Sequence, residues 1–147
     1  FLSDNHIQGS CSSTVKLGLY CGELVALQTF TKDSKHEWCL SRFCTQKYTQ
    51  VRGAASKLFT HFVGTYSPQN INTYANLRYS SGDVYDTLGF RFSHDIGPRY
   101  AYFKNFKLYN RRQFQKLPGE GKEYEKAFAL GYRRLWDCGY KAFVWKS

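Results

Sequence analysis

The order of apolar patterns along the chain constrains its fold more than any other feature. Two short apolar runs, Val15–Cys21 and Leu24–Phe30, flank a Cys-Gly-Glu turn and predict a β-hairpin. Residues 37–45 alternate apolar and polar side chains and predict a third strand. From Ala54 to Val63 the apolar positions instead recur every three or four residues, which predicts an amphipathic helix. The chain therefore begins as a β meander and continues with strands separated by helices.

The remaining patterns continue this alternation. The further predicted elements are the end of a helix over 1–8 closed by Gly9, a strand over 71–76, a helix over 81–90 closed by Gly89, a hairpin over 90–105 around Gly97-Pro98, a helix from Glu123 to Leu130, and a hairpin over 132–145 turning at Asp137–Gly139. This order predicts an α/β fold, an α+β mixed sheet flanked by helices. We divide the chain into a core over 1–105 and a basic C-terminal extension over 106–147, an α-β-β unit packed on the same domain.

Length and composition predict one domain without a membrane span. With 12 Tyr, 12 Phe and 3 Trp in 147 residues, a packed core is expected rather than disorder. No apolar run approaches the roughly 20 residues that a bilayer span requires, and nothing resembles a signal peptide. The five cysteines lack a C-x-x-C pair, so we expect reduced, mostly structural thiols in the cytoplasm. The spacing of histidines and cysteines predicts no metal site.

The charge balance indicates an anionic partner. A net charge of +10 favours nucleic acid first and an anionic membrane or acidic protein second, whereas a solvated basic face is the alternative. The stretch 109–116 interleaves cations with aromatic rings, a composition that suits phosphate contacts and base stacking. The candidate nucleic-acid contacts in and near it are Arg111, Arg112, Phe114, Lys116, Arg133 and Arg134. No paired-carboxylate nuclease motif is present, so cleavage chemistry would need another module.

A small-residue loop lies between the third strand and the following helix. Gln50-x-x-Gly53-x-Ala55 would let backbone N–H groups approach a pyrophosphate at the positive end of the helix. The same spacing also occurs in an ordinary strand-to-helix turn. The candidate cofactor-binding residues are Gln50, Val51, Arg52, Gly53, Ala54, Ala55 and Ser56.

A second motif follows downstream, where Tyr85 precedes Gly89-Phe90. The two motifs, in this order, resemble those of the GCN5-related N-acetyltransferase (GNAT) superfamily. This resemblance implies that the loop holds acetyl-CoA or another acyl-CoA, that Tyr85 protonates the departing thiolate, and that the first strand of the fold lies upstream of Phe1.

A closer resemblance covers most of the chain. "FLSDNHIQGS", "GAASKLF", "TYANLRYSSGDVYDTLGF" and "LWDCG" are similar to the GNAT-like domain of phage-encoded proteins, found C-terminal to Vsr-like nuclease modules in homing-endonuclease-like proteins. Arg42, Ser56 and Tyr85 resemble positions of phage Mom-type DNA-modification proteins. The resemblance implies DNA as target, an upstream nuclease module as partner, and the bacterial host cytoplasm as location. Asn76 stands where these phage sequences usually carry Asp, and it and Arg78 are candidate substrate contacts.

The catalytic candidates each have a structural alternative. Tyr85 could be a general acid or a half-buried packing residue. Glu37 is the best candidate base and Glu23 the second, while His6 could be a base, a metal ligand or a structural hydrogen-bonding group. Arg42 could contact phosphate or substrate, or form a surface ion pair. Two functions stay open: acyl transfer to an amine on nucleic acid (DNA modification), and a non-catalytic DNA-binding module that targets a linked homing endonuclease.

Overall fold

The computed structural model describes residues 1–32, 38–115, 118 and 121–147. Its elements, in chain order, are α1 (Leu2–Asn5), β1 (Val15–Cys21), β2 (Glu23–Lys32), β3 (Trp38–Thr45), α2 (Ala54–Tyr66), β4 (Asn70–Asn76), α3 (Asp83–Thr87), β5 (Arg91–Ile96), β6 (Tyr100–Lys104), β7 (Lys107–Tyr109), a 3-10 turn (Arg111–Gln113), α4 (Glu123–Ala129), β8 (Arg133–Trp136) and β9 (Tyr140–Lys146).

Six strands form the main sheet, in the order β1-β2-β3-β4-β9-β5. All neighbours in it are antiparallel except β3 and β4, which are parallel. Side chains alternate along β2, so Phe30 faces α2 and stacks on Phe62 with ring centroids 3.5 Å apart. Both rings are fully buried in the main core cluster. The predicted mixed sheet flanked by helices is confirmed.

The opposite face of the sheet carries the N-terminal segment. α1 ends at Asn5, earlier than the predicted helical stretch over 1–8, and its last side chain accepts the Lys47 backbone N–H at 2.7 Å. Further on, the Gly9 carbonyl accepts a hydrogen bond from Arg42 Nε at 3.4 Å. These contacts hold residues 5–9 against β3.

Two of the three predicted hairpins are wrong. The first, β1–β2, is confirmed, but residues 97–99 and 137–139 join strands of different sheets without reversing the chain, because Ile96↔Tyr140 and Tyr100↔Trp136 keep the same antiparallel register. β5 and β9 pair in the main sheet, whereas β6 and β8 pair in a second sheet of order β7-β6-β8. Gly97-Pro98 and Asp137–Gly139 are typical of turns, but here they only interrupt two long segments that pair with each other, so local turn residues did not decide the pairing.

The second sheet has a core of its own. Tyr102, Phe114 and Ala127 are buried together, with Tyr100, Tyr109 and Tyr132 packed against them. The predicted extension over 106–147 therefore contributes to both sheets, because β9 lies between β4 and β5.

Candidate active site

The two parallel strands separate shortly after they meet. β3 and β4 pair only at Trp38↔Ile71 and Cys39↔Asn72. One step further, Thr73 Oγ1 still reaches across to the Leu40 carbonyl at 2.9 Å. Beyond that bond the structure has a gap between β3 and β4, lined by side chains of both strands.

The loop before α2 presents backbone N–H groups without a capping side chain. Gly53 is the N-cap residue, with φ 70° and ψ 4°, and no side chain caps the helix. A Cβ at Gly53 would have no other heavy atom within 4 Å, so the space beside it is open. The Ala54 N–H donates to the Val51 carbonyl at 3.3 Å, and the next two N–H groups of the first turn have no carbonyl partner within the helix. Arg52 and Lys57 are exposed beside them, and the first turn contains no acidic residue.

The phenol of Tyr85 lies at the gap. α3 brings its ring against Phe143 and Phe90, with centroids 5.3 Å and 5.8 Å away. Burial raises the pKa of Tyr85, and the nearby Thr73 hydroxyl and the Arg42 charge oppose this effect without cancelling it. The phenol therefore stays protonated at neutral pH and is able to donate a proton.

His6 and Arg42 line the same gap from the other side. Burial, and then the charge of Arg42, lower the pKa of His6, so the imidazole is neutral at pH 7. His6 Nδ1 accepts the Gln8 backbone N–H at 3.0 Å. The neutral ring then carries its proton on Nε2, which makes Nε2 a hydrogen-bond donor.

Three adjoining cavities connect these groups. The gap itself encloses about 170 Å³ and includes Tyr85 and Leu88 on the α3 side. It shares His6 and Phe43 with an open cavity of about 640 Å³ that runs along the end of β3 to Gln50. On its other side it shares Ser41, Arg42 and Tyr74 with a cavity of about 710 Å³, which we call the acceptor cavity. The adjoining cavities thus extend from Tyr85 to Gln50, the first of the candidate cofactor-binding residues.

Two predicted substrate residues have structural partners. Asn76 Oδ1 accepts the Arg78 backbone N–H at 3.0 Å, and Asn76 Nδ2 donates to the Tyr140 hydroxyl at 3.3 Å. The Arg78 guanidinium lies over the ring of Tyr79, 5.6 Å from its centroid. The Asn side chain therefore orders the turn after β4 and positions Tyr140.

The predicted nucleic-acid contacts lie on the second sheet. Arg111 is paired with Glu123 at 3.1 Å, and Arg112, Arg133 and Arg134 are exposed. Phe114 is only 6% exposed and packs against Tyr102, so the prediction that its ring stacks on bases is wrong for this arrangement. Glu37 and Lys116 lie outside the described residues.

Sequence reasoning missed several residues of the acceptor cavity. Tyr74, Arg99 and Tyr140 line it, and they come from β4, the β5–β6 connection and β9. Their spacing in the chain carries no signal, because only the insertion of β9 beside β4 brings them together. In the described part of the chain, no group of three His, Cys, Asp or Glu residues could hold a metal ion.

The cysteines differ from expectation as well. Cys44 is buried, but Cys21 and Cys138 are exposed, so a packing role fits only part of the set. Among the described residues, no helix is both long and apolar enough to cross a membrane.

Solved structures with the same architecture come from bacterial acetyltransferases. A GNAT-family acetyltransferase from Bacillus cereus ATCC 10987 superposes with a TM-score of 0.51 at 15% identity, over 88% of this chain and 67% of that one. An acetyltransferase of Bacillus subtilis, solved in complex with CoA, superposes with a TM-score of 0.55 at 11% identity. The match covers 90% of this chain and 76% of that one. The chain has the GNAT fold. No protein-family model and no curated protein matches its sequence.

Proposed function

We propose that this chain is an acyl-CoA-dependent N-acyltransferase. The observation that carries the proposal is Tyr85, a protonated phenol in the gap between β3 and β4, which adjoins a cavity that reaches Gln50 at the start of the loop before α2. The GNAT fold and the CoA complex of the B. subtilis structure support it.

The loop fits the phosphates of CoA. Gly53 leaves open space beside the first turn of α2, and the exposed Arg52 adds a positive charge there. Residues 50–56 would hold the pyrophosphate through their backbone. When bound, the acyl-CoA supplies an activated acyl group as a thioester.

Acyl transfer to an amine needs both an acid and a base. As the acceptor nitrogen bonds to the acyl carbon and the C–S bond breaks, Tyr85 gives its proton to the sulfur. The nitrogen loses a proton to a base, for which Glu37 remains the prediction. His6 contacts the acceptor as a donor through Nε2, since Nδ1 already accepts a backbone N–H.

CoA binding tests this proposal directly. We expect CoA or acetyl-CoA to raise the melting temperature, because a ligand that binds only the native state stabilises it. Gly53→Val should abolish the shift, since the new side chain fills the space beside the first turn.

Gly22→Val is the matched control. Gly22 has φ 72°, close to that of Gly53, and equally open space, but it lies in the β1–β2 turn. Both variants should lose similar stability from backbone strain, and only Gly53→Val should lose the CoA response. No thermal shift at millimolar CoA in the parent protein would overturn the proposal.

A second candidate role is nucleic-acid binding by the second sheet. Arg134 lies over the rings of Tyr124 and Trp136, and Arg133 lies 3.9 Å from the ring centroid of Phe128. These rings are partly exposed around a cavity of about 290 Å³. Exposed rings beside cations suit single-stranded nucleic acid. In this role the chain would direct a linked nuclease to DNA, and both candidate roles belong in the cytoplasm.

A further inference from the structure

The acceptor cavity is cationic. The residues that line it include two arginines, Arg42 and Arg99, and no Asp or Glu of the described chain. It is of a size usual for small-ligand sites. Since it adjoins the gap that contains Tyr85, a ligand in it would lie next to the proposed site of acyl transfer.

Neither guanidinium is neutralised by an acid of the described chain. Arg42 donates to two backbone carbonyls, Nη1 to Ser41 at 2.8 Å and Nε to Gly9 at 3.4 Å. The backbone N–H of Arg99 donates to Asp137 Oδ1 at 2.8 Å, so this bond does not involve the Arg99 guanidinium. The ion pairs of the described residues, Phe1–Asp4 and Arg111–Glu123, involve neither arginine. The cavity therefore keeps a positive charge for a ligand.

Two phenols, Tyr74 and Tyr140, line the same cavity. Tyr140 accepts a hydrogen bond from Asn76 Nδ2 at 3.3 Å, and Tyr74 accepts one from Asn72 Nδ2 at 3.1 Å. The Asn76 orientation is fixed because its Oδ1 accepts a backbone N–H. A hydroxyl that accepts from an amide keeps its own proton to donate. The Tyr140 hydroxyl can therefore donate to a ligand.

From this donor set we propose that the acceptor cavity selects an amine that carries an oxyanion, a carboxylate or a phosphate. Guanidinium groups and hydroxyls are the usual partners of such anions, and charged hydrogen bonds are the stronger ones. The inference rests on the proposed acyltransferase function and names its substrate class. A small amino acid and a nucleotide both present this chemistry.

Paired amines test the selection. β-Alanine and propylamine share a three-carbon amine but differ in the carboxylate, and dAMP and deoxyadenosine differ in the phosphate. With acetyl-CoA as donor, we expect kcat/KM for one anionic member to exceed that of its neutral partner by about 10-fold to 100-fold, the range of one charged hydrogen bond. The pair with the larger ratio identifies the source of the anion.

Variants connect the selection to the cavity. Arg99→Gln and Tyr140→Phe should each move the ratio toward 1, because each removes a donor to the anion. Arg91→Gln, on the exposed β5, is the matched control and should leave the ratio unchanged. Equal rates for charged and neutral amines in both pairs, or an unchanged ratio in Arg99→Gln, would overturn the inference.

A separate readout distinguishes this inference from the proposed function. NMR titration of the Arg99 side chain with β-alanine and with dAMP, without CoA, reports anion binding even if no acyl transfer occurs. A response of Arg99 together with no CoA thermal shift would reject the acyltransferase and keep the anion site. A CoA shift with no response of Arg99 to either ligand would reject the anion site alone.

Discussion

The proposed chemistry depends on the hydroxyl group of Tyr85. Tyr85→Phe keeps the ring contacts with Phe90 and Phe143 and removes only the proton donor. We expect turnover to fall about 10²-fold, the scale for loss of a general acid, while the CoA thermal shift stays. Because the pKa of Tyr85 is raised, its donor function should persist through neutral pH and be lost only at pH above about 10. Steady-state rates against pH measure both effects.

Tyr79→Phe is the control for this change, since Tyr79 lies on an exposed turn outside the gap. Undiminished turnover in Tyr85→Phe would return Tyr85 to the role of a packing residue.

The sequence predicts single residues well where the chemistry depends on local spacing. Gly53 and Tyr85 belong to short motifs; Gly53 is the N-cap of α2, and Tyr85 lines the gap between β3 and β4. Arg99 and Tyr140 escaped prediction because they meet only through β9. Phe114 was misassigned because its cationic neighbours suggest exposure, whereas its ring fills a small aromatic core.

At the scale of elements, Gly82 sets the position of α3. It is the N-cap, with φ 101°, and a Cβ there would lie 2.6 Å from Phe143 Cζ and 3.3 Å from Ala75 Cβ. We expect Gly82→Ala to lower the free energy of unfolding by about 2 to 4 kcal/mol, combining backbone strain with overpacking. Chemical denaturation measures this loss.

Gly64→Ala serves as its control. Gly64 lies inside α2 with no heavy atom near a new Cβ, so the change should stabilise the protein by about 0.5 to 1 kcal/mol. Equal stability of Gly82→Ala and the parent would show that α3 can shift without cost.

The helices and strands themselves were predicted more reliably than the pairing between strands. The boundaries of β3 and α2 follow from periodicity, which is local. The two false hairpins were placed on segments where the chain does not reverse, and β5 pairs with β9 rather than β6. Pairing across such distances depends on burial that no short window of sequence contains.

At the scale of the whole molecule, the net charge of +10 leads to a prediction about DNA. Affinity should fall with salt, with a log–log slope near −0.9 per phosphate neutralised on duplex. Replacing Arg133 and Arg134 with Ala should reduce the slope by roughly 1 to 2 units. Replacing Arg111 should matter less, because Glu123 already neutralises it. Anisotropy titrations at several salt concentrations measure the slope.

Trp136→Ala separates stacking from charge. Trp136 is 54% exposed, so its loss should weaken binding to single-stranded DNA more than binding to duplex DNA. Tyr20→Ala, on the exposed side of β1, is the control. If the affinity for DNA changes neither with salt nor with these substitutions, the prediction is wrong and the basic surface is a solvated face.

The position of β9 also determines the order in which the molecule can be assembled. β4 and β5 are neighbours of β9 on either side, yet the ribosome makes β9 only after the whole of 97–139. Until then β4 lacks its antiparallel neighbour, and β5 lacks the strand that joins it to the sheet. Such non-local pairing is slow, because a long loop must close before its contacts form. The β4-β9-β5 side of the sheet is therefore completed last, and Tyr140 reaches the acceptor cavity only at that step.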